Sequence, residues 1–127
     1  MKNFIILLIA FLTMFSLSAQ DITGQWNGVL KVQGIQLSLI FNVTKSDNGY
    51  SSTMDSPDQG AKGIPVTNTI FENSKIKFEI TNAHIEYNGE LKGNKIIGIF
   101  KQGGQEFPME LSRKTIEKEV FYHYFFL

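Results

Sequence analysis

From Ile35 to Thr44 the chain reads Ile-Gln-Leu-Ser-Leu-Ile-Phe-Asn-Val-Thr, with Ile35, Leu37, Leu39, Phe41 and Val43 on every second position. A period of two puts successive side chains on opposite faces, so this run forms a half-buried strand and excludes a helix. The same period recurs along the chain. Gly24 to Val32 places Trp26, Leu30 and Val32 on one face, and Gly24 and Gly28 leave room beside the indole. Gln33-Gly34 is the tight connection between these two strands. Ser46-Asp47-Asn48-Gly49 closes a second hairpin, Asn-Gly being the pair that takes positive φ at both central positions.

Tyr50 to Met54 is a third, more polar strand. It leads into Met54–Pro65, MDSPDQGAKGIP, where the alternation breaks over two prolines, two glycines, two aspartates and a lysine. The pattern resumes with Val66 to Phe71, turns at Glu72-Asn73-Ser74-Lys75 and returns through Ile76, Phe78 and Ile80. Ile85, Tyr87, Gly89 and Leu91 are the next inward set, with Asn88-Gly89 inside the strand and Lys92-Gly93-Asn94 as its turn. Ile96, Gly98 and Phe100 face one way and Ile97 and Ile99 the other, which predicts a strand covered on its outside as well. Gln102-Gly103-Gly104-Gln105 then turns the chain into Phe107, Met109 and Leu111.

About eight strands joined by short turns make a meander, and a meander of that length removes its edges by closing. The expected fold is all-β, an antiparallel up-and-down β-barrel of lipocalin-like type over residues 21–113, with a two-sheet β-sandwich as the alternative. The chain contains no cysteine, which excludes disulfides, thiolate metal sites and a cysteine nucleophile together. The fold therefore rests on its core, and eleven phenylalanines supply one.

Residues 1–20 carry a different signal. Lys2 precedes an apolar run from Phe4 to Phe15, and Ser16-Leu17-Ser18-Ala19 supplies small residues before Gln20-Asp21. That order is a secretory signal peptide, cut after Ala19 or Gln20. The apolar run is shorter than the roughly 20 residues that a membrane anchor needs. The mature chain is expected to be exported, periplasmic or extracellular, with no stable membrane span.

Twelve basic residues balance twelve acidic ones, and loss of Lys2 leaves minus one. Without a basic surplus, nucleic acid is excluded as a partner. Residues 114–127 stand apart. Lys114 to Glu119 is polar and Val120 to Leu127 is a dense aromatic tail without alternation. It reads either as out-of-frame sequence after an interrupted gene, or as a last strand or membrane-interacting tail.

The polar residues of the irregular stretch are Asp55, Ser56, Asp58, Gln59 and Lys62. Two carboxylates near a lysine suit a cation, a sugar or acid–base work. The same residues are also turn chemistry, aspartates bonding nearby backbone and glycines supplying positive φ. A contact loop for a partner or ligand is the third reading. His84 and Glu86, two apart, share a strand face, which is too few groups for a metal site. No catalytic residue, metal or cofactor is assigned from the residues.

Gly24-x-Trp26 resembles the Gly-x-Trp signature of lipocalin-type barrels, in which the tryptophan closes the barrel base. A longer match runs through ITGQWNGVL, MDSPDQGAKGIP with Met54 in place of leucine, Gly98-x-Phe100-x-Gln102-Gly103-Gly104 and Phe107-Pro108-Met109-Glu110-Leu111. Together these resemble the N-terminal β-domain of a group of secreted bacterial α/β-hydrolases. The resemblance implies a non-catalytic accessory domain, partnered by a hydrolase domain in cis or in trans. Catalysis there needs a Gly-x-Ser-x-Gly elbow, which this sequence lacks, and about 250 further residues to support it. A stand-alone lipocalin-like carrier of a small apolar ligand is the alternative function.

Overall fold

The computed structural model describes residues 20–114; residues 1–19 of the expected 1–20 leader and residues 115–127 of the expected 114–127 tail lie outside the described residues. Nine strands follow in order: β1 (Gly24–Val32), β2 (Ile35–Ser46), β3 (Gly49–Ser56), β4 (Ala61–Pro65), β5 (Asn68–Glu72), β6 (Lys75–Ile80), β7 (Ile85–Lys92), β8 (Lys95–Gln102) and β9 (Gln105–Ser112). They form one antiparallel sheet in the order β4-β3-β2-β1-β9-β8-β7-β6-β5. The sheet is strongly curled, and the fold is a barrel-like all-β domain.

The first and last strands meet, Asn27 opposite Ser112 and Gly28 opposite Leu111, so the chain closes on itself there. The ladder is missing between β4 and β5, which are neighbours in sequence. β4 pairs with the second half of β3, Met54 opposite Ile64 and Ser56 opposite Ala61. The chain then bends: Val66 N donates to Ser52 O at 3.1 Å, and β5 continues beside the first half of β3 through side chains. Ser52 and Thr69 join their hydroxyls, and the Tyr50 and Phe71 rings meet edge to face at 6.0 Å. Residues 61–72 are thus one bent stave made of two strands, which is why nine strands stand where eight are expected.

Three of the hairpin turns, at Gln33-Gly34, Asn73-Ser74 and Gly103-Gly104, place both central residues at positive φ. That geometry matches the right-handed twist of the strands it joins. The turn at Asp47-Asn48 departs from expectation: Ser46 pairs with Gly49, and the positive φ of 134° falls on Gly49 alone. The irregular stretch is also shorter than its composition predicts. β3 runs on to Ser56 because the twelve-residue β2 offers partners that far, Phe41 opposite Met54 and Ile40 opposite Asp55. Only Pro57–Gln59, a 3-10 turn, and Gly60 lie outside the strands there.

The inward faces are those that period two selects. Trp26, Phe41, Phe78, Tyr87 and Phe100 are fully buried, with Leu30, Leu39, Val43, Ile76, Ile80, Ile85, Ile96, Met109 and Leu111 around them. Phe41 of β2 and Phe78 of β6 stack across the interior with centroids 4.3 Å apart and planes within 5°. Tyr87 sits 6.2 Å from each ring, so aromatic side chains fill the middle of the barrel. One inward expectation fails, and one expected cover is missing among the described residues. Ile35 is 60% exposed, because as the first residue after the hairpin tip it projects beyond the rim. Ile97 and Ile99 face out as predicted but remain 46% and 40% exposed, and no described element covers them.

Candidate functional site

The Met54–Pro65 stretch is built by hydrogen bonds that start on β2 and β3. Asp55 lies on β3, and its Oδ1 accepts the Gly63 N–H of β4 at 2.7 Å. Its Oδ2 accepts Asn42 Nδ2 of β2 at 3.0 Å, so one carboxylate ties three strands. Asp58, within the 3-10 turn, accepts the Ser38 N–H at 2.7 Å and holds that turn onto β2. Ser56 is buried and donates its hydroxyl to Gln59 Oε1 at 2.6 Å. Gly60 closes the turn at φ 67°, its N–H donating to Pro57 O.

The structure therefore brings Asp55, Ser56, Asp58 and Gln59 together as turn chemistry, with Lys62 exposed beside them. The backbone donor at Gly63 and the Asn42 amide stabilise the charged form and hold the Asp55 carboxyl below its ordinary value of 3.8, with Lys62 adding a smaller attraction. Stability from Asp55 is thus present in full above that ordinary value and is lost as pH falls through the lower folded value. Asp55→Ala is expected to cost about 1–2 kcal/mol at neutral pH, since it removes two charge-assisted hydrogen bonds at a partly exposed site. Urea titrations of both proteins check this, and the gap between them should narrow as pH falls from the ordinary carboxylate value through the lowered one.

His84 does not join Glu86 on a strand face. His84 caps the 3-10 turn Thr81–Ala83 at φ 54°, and β7 begins only at Ile85. Glu86 instead accepts Lys77 Nζ at 3.0 Å and Asn88 Nδ2 at 3.1 Å, with Lys101 Nζ at 4.0 Å. The Lys77 bond and its charge keep the Glu86 carboxyl low, and the ammonium is raised in return. This pair is a solvated cross-strand contact of the outer face.

A second assembly stands at the end of the barrel where β1 starts and β9 ends. Trp26 Nε1 donates to the Ile22 carbonyl at 2.9 Å, and Ile22 is fully buried. The Arg113 guanidinium lies over the Trp26 ring, 4.2 Å from its centroid. It also donates to the carbonyls of Thr23 and Asp21 at 2.7 and 2.8 Å. A Cβ on Gly24 would lie 3.0 Å from this guanidinium, so the missing side chain does leave room beside the indole. Sequence reasoning placed Trp26 here and missed Arg113, whose only signal is its position at the end of the last alternating strand.

On the outer face a row of register partners crosses the sheet: Ile70, Lys77, Asn88, Ile99 and Pro108. Ile97 adds to it one step along β8. An open surface concavity of about 520 Å³ lies here, lined by Ile97, Ile99, Pro108, Asn88, Glu90 and Lys75. Lysines and glutamates rim the isoleucines, with Lys95 paired to Glu110 at 3.8 Å and Lys92 to Glu90 at 3.8 Å. An apolar strip inside a polar rim is the composition of a contact surface.

Among the described residues no helix is long and apolar enough to cross a membrane. Comparison with known proteins returns no matching family model and no matching curated protein.

Proposed function

We propose that this chain is an exported β-barrel module with no catalytic residue of its own, which works by packing against a partner. Its resemblance to the domain that precedes the catalytic part of secreted α/β-hydrolases names that partner class, a hydrolase domain in cis or in trans. The role is to position or shield that domain in the periplasm or outside the cell.

The observation that carries the reading is the filled interior. A carrier of an apolar ligand needs a cavity of a few hundred Å³. Here the Phe41–Phe78 stack, with Tyr87 against both rings, occupies the level at which such a ligand would sit. Among the described residues the apolar groups left to meet another molecule are outside, Ile70, Ile97 and Ile99 in the strip and Ile35 at the rim. The loop that carries the resemblance adds a second contact. Its Asp58, Gln59 and Lys62 are exposed on a shape held rigid by Asp55 and Ser56.

Titration of the purified protein with a fluorescent long-chain fatty acid tests this. The reading predicts no saturable one-to-one binding and no hydrolysis of p-nitrophenyl esters. Stoichiometric, saturable uptake would instead make the barrel a carrier.

A further inference from the structure

Residues 20–23 are bound into the end of the barrel. The Ile22 carbonyl takes the Trp26 indole N–H, and Arg113 holds the carbonyls of Asp21 and Thr23. The Asp21 carboxylate accepts the Thr23 N–H at 2.9 Å and its hydroxyl at 3.0 Å. One residue earlier, Ser74 in the turn between β5 and β6 donates its hydroxyl to Gln20 Oε1 at 2.7 Å. A cut ahead of Gln20 leaves every one of these bonds in place, whereas a cut after it removes the bond to Ser74. Leader cleavage also selects a small residue just before the cut, a place that Ala19 fits and Gln20 does not.

We propose that the mature chain begins at Gln20 and that Gln20 is a modification site, closing to pyroglutamate against Ser74. The proposal rests on the export reading above. The unprotonated α-amine of Gln20 attacks its own side-chain Cδ. The N–Cδ bond forms, the Cδ–Nε2 bond breaks, a proton passes from the amine to Nε2, and ammonia leaves. No oxidant, reductant or second substrate is needed.

Oε1 stays on Cδ throughout and becomes the lactam oxygen. The Ser74 hydroxyl is thus a donor to the atom on which negative charge develops during attack. Ser74 is held at φ 65°, which aims it across the barrel end from a turn fixed by the β5–β6 pairing. The product has lost the α-amino charge, so the chain starts as a neutral ring with no free amine.

Intact-mass and N-terminal peptide mass spectrometry of the protein recovered from the exported fraction reads this directly. The expected result is a chain of residues 20–127, lighter by one ammonia. Ser74→Gly, which suits the positive φ and removes the hydroxyl together with its methylene, should show the same start and close several-fold more slowly on incubation. A chain that starts at Asp21 overturns the proposal and leaves export standing. A chain that starts at Gln20 and keeps its full mass after prolonged incubation overturns the modification. Equal closure rates with and without the hydroxyl overturn the role of Ser74. A recovered chain that still carries Met1 removes the export reading and the proposal with it.

Discussion

Trp26→Ala is expected to cost about 4 kcal/mol of folding stability, the scale measured when a buried tryptophan is cut back to alanine. Three losses add up at this one position. The indole is fully buried between β1 and the residues that cap the barrel end, so its removal opens a large void. Its N–H is the partner of the Ile22 carbonyl, which would be left buried with that bond unmade. Arg113 loses the ring that it lies over at 4.2 Å and, with it, the surface that orients its two bonds to Asp21 and Thr23. A domain of this size melts roughly 4–8 °C lower per kcal/mol lost, so a fall of roughly 20 °C is expected in calorimetry. Trp26→Phe keeps most of the ring and gives up the N–H, and it should fall between the two. Equal melting points for the alanine variant and the parent would contradict the part assigned to this end of the barrel.

Gly98→Ala is the second large effect, and it works by excess rather than loss. A Cβ at Gly98 would meet the Asn88 carbonyl oxygen and would lie 2.6 Å from Tyr87 Oη and 2.7 Å from Tyr87 Cζ. None of these can yield cheaply. Asn88 O belongs to the backbone of the paired strand β7, and Tyr87 is fully buried with its hydroxyl donating to the Met109 carbonyl at 2.7 Å. Overpacking of a well-filled core costs about 1–3 kcal/mol, and the upper end applies because both backbone and a buried ring must shift. Chemical denaturation should therefore show a loss of about 3 kcal/mol. The smaller ring-free side chain in Tyr87→Leu frees part of the space, so the double variant Tyr87→Leu with Gly98→Ala should lose less than the sum of the two. Additive losses would mean that Gly98 and Tyr87 do not share that space.

These two positions also mark how far the sequence can be read. Period two picks out Trp26, Phe41, Phe78 and Tyr87 as inward, because a strand that buries one face has no other solution. The turns at Gln33-Gly34 and Gly103-Gly104 follow from their glycines, which accept positive φ. What pairs across the barrel is less visible. Arg113 stands 87 residues after Trp26, and nothing local says that the first and last strands are neighbours. The bend at Val66-Thr67 is hidden for a related reason: Ile64 and Val66 face in before it and Phe71 after it, an odd number of residues on, and nothing local marks where the ladder stops.

The exposed isoleucines show the opposite limit. Two apolar faces on β8 predict a cover over Ile97 and Ile99, yet the described residues leave both open. Hydrophobic pattern says that a surface has a use for burial and not what buries it. A spacing of two predicts His84 and Glu86 on one strand face, but His84 closes the 3-10 turn Thr81–Ala83 and β7 begins only at Ile85. In the Met54–Pro65 stretch the turn residues were legible and their partners were not, because Asn42 and Ser38 lie on a strand fixed only by the tertiary register.

The central claim is that this barrel serves a hydrolase. Sequencing the source DNA on both sides of this coding stretch, and translating about 300 codons in all three frames, tests that claim most directly. The expected result is a Gly-x-Ser-x-Gly elbow, followed by acidic and histidine partners, encoded next to this domain. Flanking DNA that encodes no such catalytic domain in any frame would contradict a hydrolase partner in cis.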